Sequence, residues 1–388
     1  MSHLDQFICR KGTCSVKWNG HSRLGIPQDA IPMWVADMDF CIPPEVTEAI
    51  CNRADHEIFG YSFPRKSYRE SIVGWMKRRH NWDIDSQWII TVPGVVPAIN
   101  IAINTFSDKD DAVMIQRPVY PPFTNSVLGN QRQLINNPLV LRENKYFIDF
   151  ADFEQKIVEN NVKIFVLCSP HNPVGRVWTE EELRQMGELC LKHDVLVVSD
   201  EIHQDLVFEG YRHIPFTAVD QRFEKNTIVC TAPSKTFNVA GLQAANVIIP
   251  DRKLREQFYA SASCWGLAKV NTMGLAATEA AYQHGDKWLD EVLEYLQGNM
   301  EFVRDFLTRR LPQVRLIEPE GLFLLWLDFR GLDISPQQQE ELLVHKACLW
   351  LIQGHSFGQE GAGFARLNSA CTRDLLKQAM EQLEQAIE

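Results

Sequence analysis

Six short apolar runs recur along the middle of the chain, and they restrict its fold more than any other feature. They are Ile89-Ile90-Thr91-Val92, Ala112-Val113-Met114-Ile115, Ile164-Phe165-Val166-Leu167-Cys168, Val195-Leu196-Val197-Val198-Ser199, Thr227-Ile228-Val229-Cys230 and Ala245-Asn246-Val247-Ile248-Ile249. Runs this short and this continuously apolar read as strands buried on both faces. Helical patterns lie between them, over Val95–Thr105, from Pro121 to Leu128, and after Thr179, an N-cap with Glu182 at the third position beyond it. The alternation predicts an α/β fold whose mostly parallel sheet is covered by helices on both sides. In such sheets ligands bind beyond the carboxyl ends of the strands.

The flanking segments have a different texture. Residues 1–40 read as an arm in which Ile31–Phe40 is apolar and extended, with Pro32 forbidding a helix at its start. Helical patterns follow at Glu45–Arg53 and Ser67–His80, separated by a turn at Gly60-Tyr61-Ser62. A long helix over Asp286–Arg310 opens the last part. After it come strands at Phe323–Phe329 and Gly363–Asn368 and helices at Pro336–Cys348 and Thr372–Glu388. The expected organisation is an arm (1–40), a large domain (41–285) and a smaller α+β domain (286–388).

With 388 residues, 45% of them hydrophobic, the chain can build one large core and a second, smaller one. The net charge of −11 carries no basic stripe, so nucleic acid is not an expected partner. Apolar runs of strand length do not reach the ~20 residues of a membrane span. The start, Met1-Ser2-His3-Leu4-Asp5-Gln6, lacks the charged-then-apolar pattern of a signal peptide. The cysteines are scattered singly without a Cys-x-x-Cys pair, which reads as small buried hydrophobes in a reducing cytoplasm rather than disulfides or a metal site.

Polar residues gather just past the strand-like runs. After Ile115 come Arg117-Pro118-Val119-Tyr120. After Cys168 comes Ser169-Pro170-His171-Asn172-Pro173-Val174-Gly175. After Ser199 comes Asp200-Glu201-Ile202-His203, and after Cys230 comes Thr231-Ala232-Pro233-Ser234-Lys235-Thr236-Phe237-Asn238. Each has an ordinary explanation: turn chemistry at Asn172-Pro173, a helix cap at Asp200, core packing at Tyr120. Lys235 is harder to place, because an ammonium at the end of a buried strand needs a partner or a lowered pKa. A lysine held there can form a Schiff base with an aldehyde.

Together these residues resemble the pyridoxal-phosphate enzymes of aspartate-aminotransferase fold, fold type I. The resemblance rests on Asn172-Pro173 with Gly175, on Asp200-Glu201-Ile202-His203, on Ser234-Lys235 and on a late Arg366, and it spans nearly the whole chain. Within that superfamily the chain is similar to the MalY/PatB-type carbon–sulfur lyases. Trp34-Val35-Ala36-Asp37-Met38-Asp39-Phe40, Pro93-Gly94-Val95-Val96-Pro97, Pro118-Val119-Tyr120, His171–Trp178, Ser234–Asn238 and Arg366-Leu367-Asn368 carry that likeness.

The resemblance implies a role for each residue. Lys235 would hold pyridoxal 5'-phosphate covalently and later remove the substrate Cα proton. Asp200 would keep the pyridine nitrogen protonated, Asn172 would donate to the ring oxygen, and His203, where many relatives have tyrosine, would support the same side. Tyr120 would stack on the ring, Arg366 would clamp the substrate carboxylate, and Val35 would border the substrate. The phosphate would rest on Val95 and Val96 behind Gly94, on Ser234, and on Tyr61 of a neighbouring subunit, which makes the expected assembly a homodimer with shared active sites. Two positions depart from the aminotransferase pattern. Ala232 stands where a serine or threonine is usual, and Gln243 where an arginine often stands, leaving Thr231 as a substitute donor. The lyase-like motifs imply β-elimination from cystathionine, cysteine or other S-substituted cysteines, giving a thiol, pyruvate and ammonia. Transamination of an amino acid is the alternative fate, and some members of the branch also resemble binding partners of transcription regulators.

Overall fold

The computed structural model describes residues 3–388; Met1 and Ser2, at the tip of the expected arm, lie outside them. All six expected runs form strands of one seven-stranded sheet. In chain order these are β1 (Ile89–Val92), β2 (Ala112–Ile115), β3 (Gln133–Asn136), β4 (Ile164–Cys168), β5 (Leu196–Asp200), β6 (Thr227–Thr231) and β7 (Ala245–Ile248). Their spatial order is β1-β7-β6-β5-β4-β2-β3, with β7 antiparallel to both neighbours and the other pairings parallel.

Two differences from the sequence reading are instructive. β3 was not expected: Gln133 and Asn136 bracket only two apolar residues, because an edge strand needs no fully apolar face. β5 starts and ends one residue later than the apolar run, so Asp200 closes the strand instead of following it. It stands in register between Cys168 of β4 and Cys230 of β6. The strand carries it there although its carboxyl is polar, since the ladder pairs backbone, not side chains.

Helices cover both faces, which explains why the strands inside the sheet are largely apolar. On one side the helices Val95–Phe106 and Arg252–Cys264 bury Ile99, Ala102 and Phe258 against Val166, Val198 and Ile228. On the other, Phe150–Asn160 and Glu180–Lys192 bury Phe153, Leu183 and Met186 against Phe165, Leu167 and Val197. Thr179 and Glu182 form the full capping box of the second of these.

Beyond the helix Asp286–Arg310 a four-stranded antiparallel sheet forms from β8 (Arg315–Leu316), β9 (Leu324–Asp328), β10 (Ile352–Gln353) and β11 (Phe364–Asn368). The helix expected over Pro336–Cys348 is shorter. It runs from Pro336 to Glu340 and then widens into a π-helical turn, Glu341–Lys346. The widened turn lets the consecutive residues Leu342, Leu343 and Val344 all be buried. In the arm, Ile31–Pro32 pairs in parallel with Leu349–Trp350, and Trp34 stacks on Trp350 at 4.2 Å. Of the cysteines, Cys168, Cys190, Cys230 and Cys371 are buried as expected. Cys9, Cys14, Cys41, Cys51 and Cys264 are exposed, contrary to that reading, and none of these residues is bridged. Among the described residues no helix is long and apolar enough to cross a membrane.

Candidate functional site

A cavity of about 230 Å³ opens at the carboxyl ends of β4, β5 and β6. It gathers Tyr120, Asn172, Asp200, His203, Ser234 and Lys235 from four separate stretches of chain. Lys235 enters on a single helical turn, Pro233–Thr236, rather than on a loop. Pro233 at the start of that turn has its φ preset and no N–H to lose.

Lys235 is partly buried and its Nζ donates to the carbonyl of Ala36 at 2.6 Å. Burial lowers its pKa to about 8, with Arg366 pushing the same way and Asp37 and Asp200 opposing. A lysine tuned this far is neutral often enough near physiological pH to act as a nucleophile or base. Asp200 is shifted in the other direction. Burial raises its pKa to about 7; the Ile202 N–H, at 3.1 Å from Oδ1, opposes, nearby Glu201 adds to the rise, and Lys235 lowers it. No lysine or arginine forms an ion pair with Asp200 among the described residues. A buried acid left without a direct cation on a cavity wall suits a ligand that brings one.

Asn172 is held between two neighbours. Its carbonyl accepts from Tyr120 N–H at 3.1 Å and its Oδ1 accepts from Arg366 Nη1 at 2.9 Å, which leaves Nδ2 to donate elsewhere. The turn behind it needs Gly175 at φ +73°, because a Cβ there would lie 3.1 Å from Pro319. Arg366 is fully buried on β11; its Nη2 donates to Trp34 O at 2.9 Å, and its Nε has no partner. It has no acid partner among the described residues, which removes the ordinary explanation of an internal ion pair. His203 is buried, its Nδ1 is unpartnered, and burial with the charges of Lys235 and Arg366 holds it well below the usual imidazole range, so it is neutral. Burial likewise raises the Tyr120 phenol.

The far end of the cavity is shaped for an anion. Gly94, Val95 and Val96 line it at the start of the twelve-residue helix Val95–Phe106, where first-turn N–H groups lack intrahelical partners. Ser234, Gln243 and Ala232 line the cavity too. Thr231 does not. It is wholly buried and does not line the cavity, because side chains alternate along β6 and Cys230 takes the face shared with Asp200.

Two other expected residues lie away from the cavity wall. Val35 contributes only its carbonyl, which accepts from Asn368 Nδ2 at 2.5 Å, while its neighbour Ala36 faces the cavity. Tyr61 is entirely exposed in a separate surface hollow with Phe63, Tyr259 and Lys269. Sequence reasoning missed the residues that hold the strap 34–40 over the site. Asn238 bonds Met38 N, Met38 O and Phe40 O, and Asn368 bonds Val35 O and Asp37 O. Both amides were visible in the sequence motifs, but their partners are main-chain atoms, which leave no side-chain signal.

The family model for aminotransferase class I and II matches residues 29–383. The chain belongs to that family. It is 43% identical over 378 residues to cystathionine beta-lyase PatB of Bacillus subtilis (strain 168), covering 97% of this chain and 98% of the relative. It is 32% identical to protein MalY of Escherichia coli (strain K12), covering 100% and 99%. Among solved structures, cystalysin from Treponema denticola, described as containing a pyridoxal 5'-phosphate cofactor, superposes with a TM-score of 0.96 at 37% identity, covering 99% of this chain and 98% of that one. Within the family the chain thus falls in the branch of PatB and MalY.

Proposed function

We propose that this chain is a pyridoxal-phosphate-dependent carbon–sulfur β-lyase. It cleaves cystathionine, cysteine or other S-substituted L-cysteines to a thiol or sulfide, pyruvate and ammonia. The observation that carries the reading is the pairing, in one cavity, of a lysine with a lowered pKa and a buried acid that has no direct cationic partner. Full-length likeness to a cystathionine beta-lyase supports elimination as the outcome.

The cavity suits the cofactor at each end. Lys235 would hold its aldehyde carbon, Asp200 its protonated pyridine nitrogen, Asn172 Nδ2 and His203 its ring-oxygen side, and Tyr120 its face. Ser234 and the N–H groups behind Gly94 would hold its phosphate. When bound, the cofactor supplies an electron sink for the negative charge left at Cα. The protein residues do the rest. Arg366 orients the substrate carboxylate through its planar fork. Lys235 Nζ takes the Cα proton. The sulfur leaves Cβ with the bonding electron pair and accepts a proton, which Lys235 is placed to return. The three-carbon remainder hydrolyses to pyruvate and ammonia. Incubating the holoenzyme with S-methyl-L-cysteine should release methanethiol, pyruvate and ammonia in equal amounts; an amino acid consumed without thiol release would refute the assignment.

Arg366→Lys keeps the charge and loses the bidentate geometry. It is expected to lower kcat/KM for cystathionine and for cysteine by similar factors, with an unchanged ratio of pyruvate to transamination product. A loss confined to one substrate would mean that Arg366 reads the side chain.

A homodimer with shared active sites is part of this reading. Ile58, Phe59, Tyr61 and Phe63 are all exposed on one short segment, a cluster that a second copy can cover. Tyr61 would then reach the phosphate of the partner's site. Arm (1–40), large domain (41–285) and small domain (286–388) would each supply part of one site, through Ala36, Lys235 and Arg366. Tyr61→Phe should weaken cofactor affinity, and mixing Tyr61→Phe with Lys235→Ala chains should recover activity above either variant through hybrids with one intact site. Confirmed hybrids without recovered activity would count against sharing.

A further inference from the structure

On the opposite face of β5 from Asp200 lie two acid–imidazole pairs that the reaction above does not use. Glu201 is completely buried. Its Oε1 accepts from Ser199 Oγ at 2.8 Å and from Phe216 N–H at 3.0 Å, and its Oε2 pairs with His213 Nε2 at 2.9 Å. Asp205 is buried as well. Its Oδ1 accepts from Trp75 Nε1 at 3.0 Å and pairs with His80 Nε2 at 2.8 Å, while Oδ2 accepts from Thr236 Oγ1 at 2.6 Å. The two imidazoles then meet edge to face, with centroids 5.6 Å apart and planes at 89°. Four titratable side chains from the helix Lys66–His80, the segment after β5 and the chain near His213 thus form one continuous unit.

Each end of the unit lies one residue away from a reacting group. Glu201 is the next residue after Asp200, and its charge adds to the proton affinity there. Asp205 is bonded to Thr236, the next residue after Lys235, within the single helical turn that carries the lysine. The other titratable groups that the charges of the unit act on are Tyr282, whose phenol burial raises and the Asp205 charge raises further, and, on the Asp200 face of β6, Cys230, raised by burial and by Asp200 and Glu201. Burial would raise the Asp205 carboxyl too, but the bonds and charge of His80, with Thr236 and Trp75, outweigh it and hold Asp205 below the usual carboxylate range. A buried ion pair is weak evidence for stability, since apolar residues of similar volume often serve as well. What such pairs supply is fixed orientation, through bonds that an apolar core cannot make.

We propose that Glu201, His213, His80 and Asp205 act together as a positioning unit for the reaction. Glu201 sets the orientation and electrostatic environment of Asp200, and Asp205 sets that of Lys235 through Thr236. None of the four contacts substrate. This inference rests on the reading that Lys235 and Asp200 hold the cofactor.

The test uses the loaded enzyme and two near-isosteric changes at opposite ends of the unit, Glu201→Gln and Thr236→Val. Each is expected to lower kcat by about 10-fold with KM within about twofold, as for other outer-shell partners of functional groups. Because a negative charge near the site favours protonated forms, Glu201→Gln is also expected to shift the pH midpoint of the visible cofactor band downward by at least several tenths of a unit. The double variant should cost less than the product of the two single effects, as expected for coupled sites. Thr236→Val keeps the test open should Glu201→Gln load poorly. The inference is overturned if either loaded variant keeps the parent kcat while losing only thermal stability, if Glu201→Gln leaves the band midpoint unmoved, or if the two effects multiply independently. A parent protein without any borohydride-reducible visible band would instead overturn the cofactor reading beneath it.

Discussion

A Lys235→Ala protein is expected to stay colourless when incubated with pyridoxal phosphate and to lose turnover by on the order of 10³-fold or more. The parent, treated identically, should turn yellow, with a visible band that borohydride abolishes. The size of the effect follows from the two tasks the same Nζ performs. In the proposed reaction it holds the cofactor and moves the Cα proton, and among the described residues no other amine lines the cavity. Ala36 O, at 2.6 Å from Nζ, is an acceptor only and cannot substitute. Absorbance spectra and steady-state assays of the two proteins check both parts. Full turnover in the variant would remove the basis of the site assignment.

Asp200→Asn has opposite effects on activity and on stability. Turnover is expected to fall by on the order of 10²-fold, because a neutral amide does not keep the pyridine nitrogen protonated. The cofactor-stripped variant should nevertheless be more stable than the stripped parent at pH 8. The folded carboxyl titrates at about 7, against 3.8 for the ordinary group, so the folded state binds this proton more tightly than the unfolded one. Ionising it therefore costs stability. The cost is absent below about pH 4, grows as pH rises towards 7, and is constant above that. Asparagine removes it, for a gain on the order of 2–4 kcal/mol at pH 8 that vanishes by pH 4. Urea unfolding of both stripped proteins at the two pH values measures the difference. A variant less stable at pH 8, or one that turns over normally with cofactor bound, would contradict the role given to Asp200.

How much of this could be read from the sequence depends on the kind of signal. The buried strands were legible because burial on both faces demands continuous apolar runs, and the polar residues beyond Cys168, Ser199 and Cys230 were legible against them. The cavity does bring Tyr120, Asn172, Asp200, His203, Ser234 and Lys235 together. Thr231 was misplaced because a one-residue step along a strand reverses the face, and the sequence does not say which face meets the ligand. β3 left almost no trace because an edge strand is half solvated. The strap's role is carried by the carbonyls of Trp34, Val35 and Ala36, which no residue type reveals. The unit of Glu201, His213, His80 and Asp205 depends on His80, 125 positions before Asp205, and each residue alone looks like ordinary core or cap.

The most direct test of the central claim is the partition of a single substrate. Purified holoenzyme is given L-cystathionine together with an excess of an added keto acid, and pyruvate is measured against amino acid newly formed from that keto acid. Elimination should dominate, with pyruvate, ammonia and homocysteine formed together and amino transfer a minor product. Amino transfer as the main outcome, with the carbon–sulfur bond intact, would show that the site is an aminotransferase and that the lyase reading is wrong.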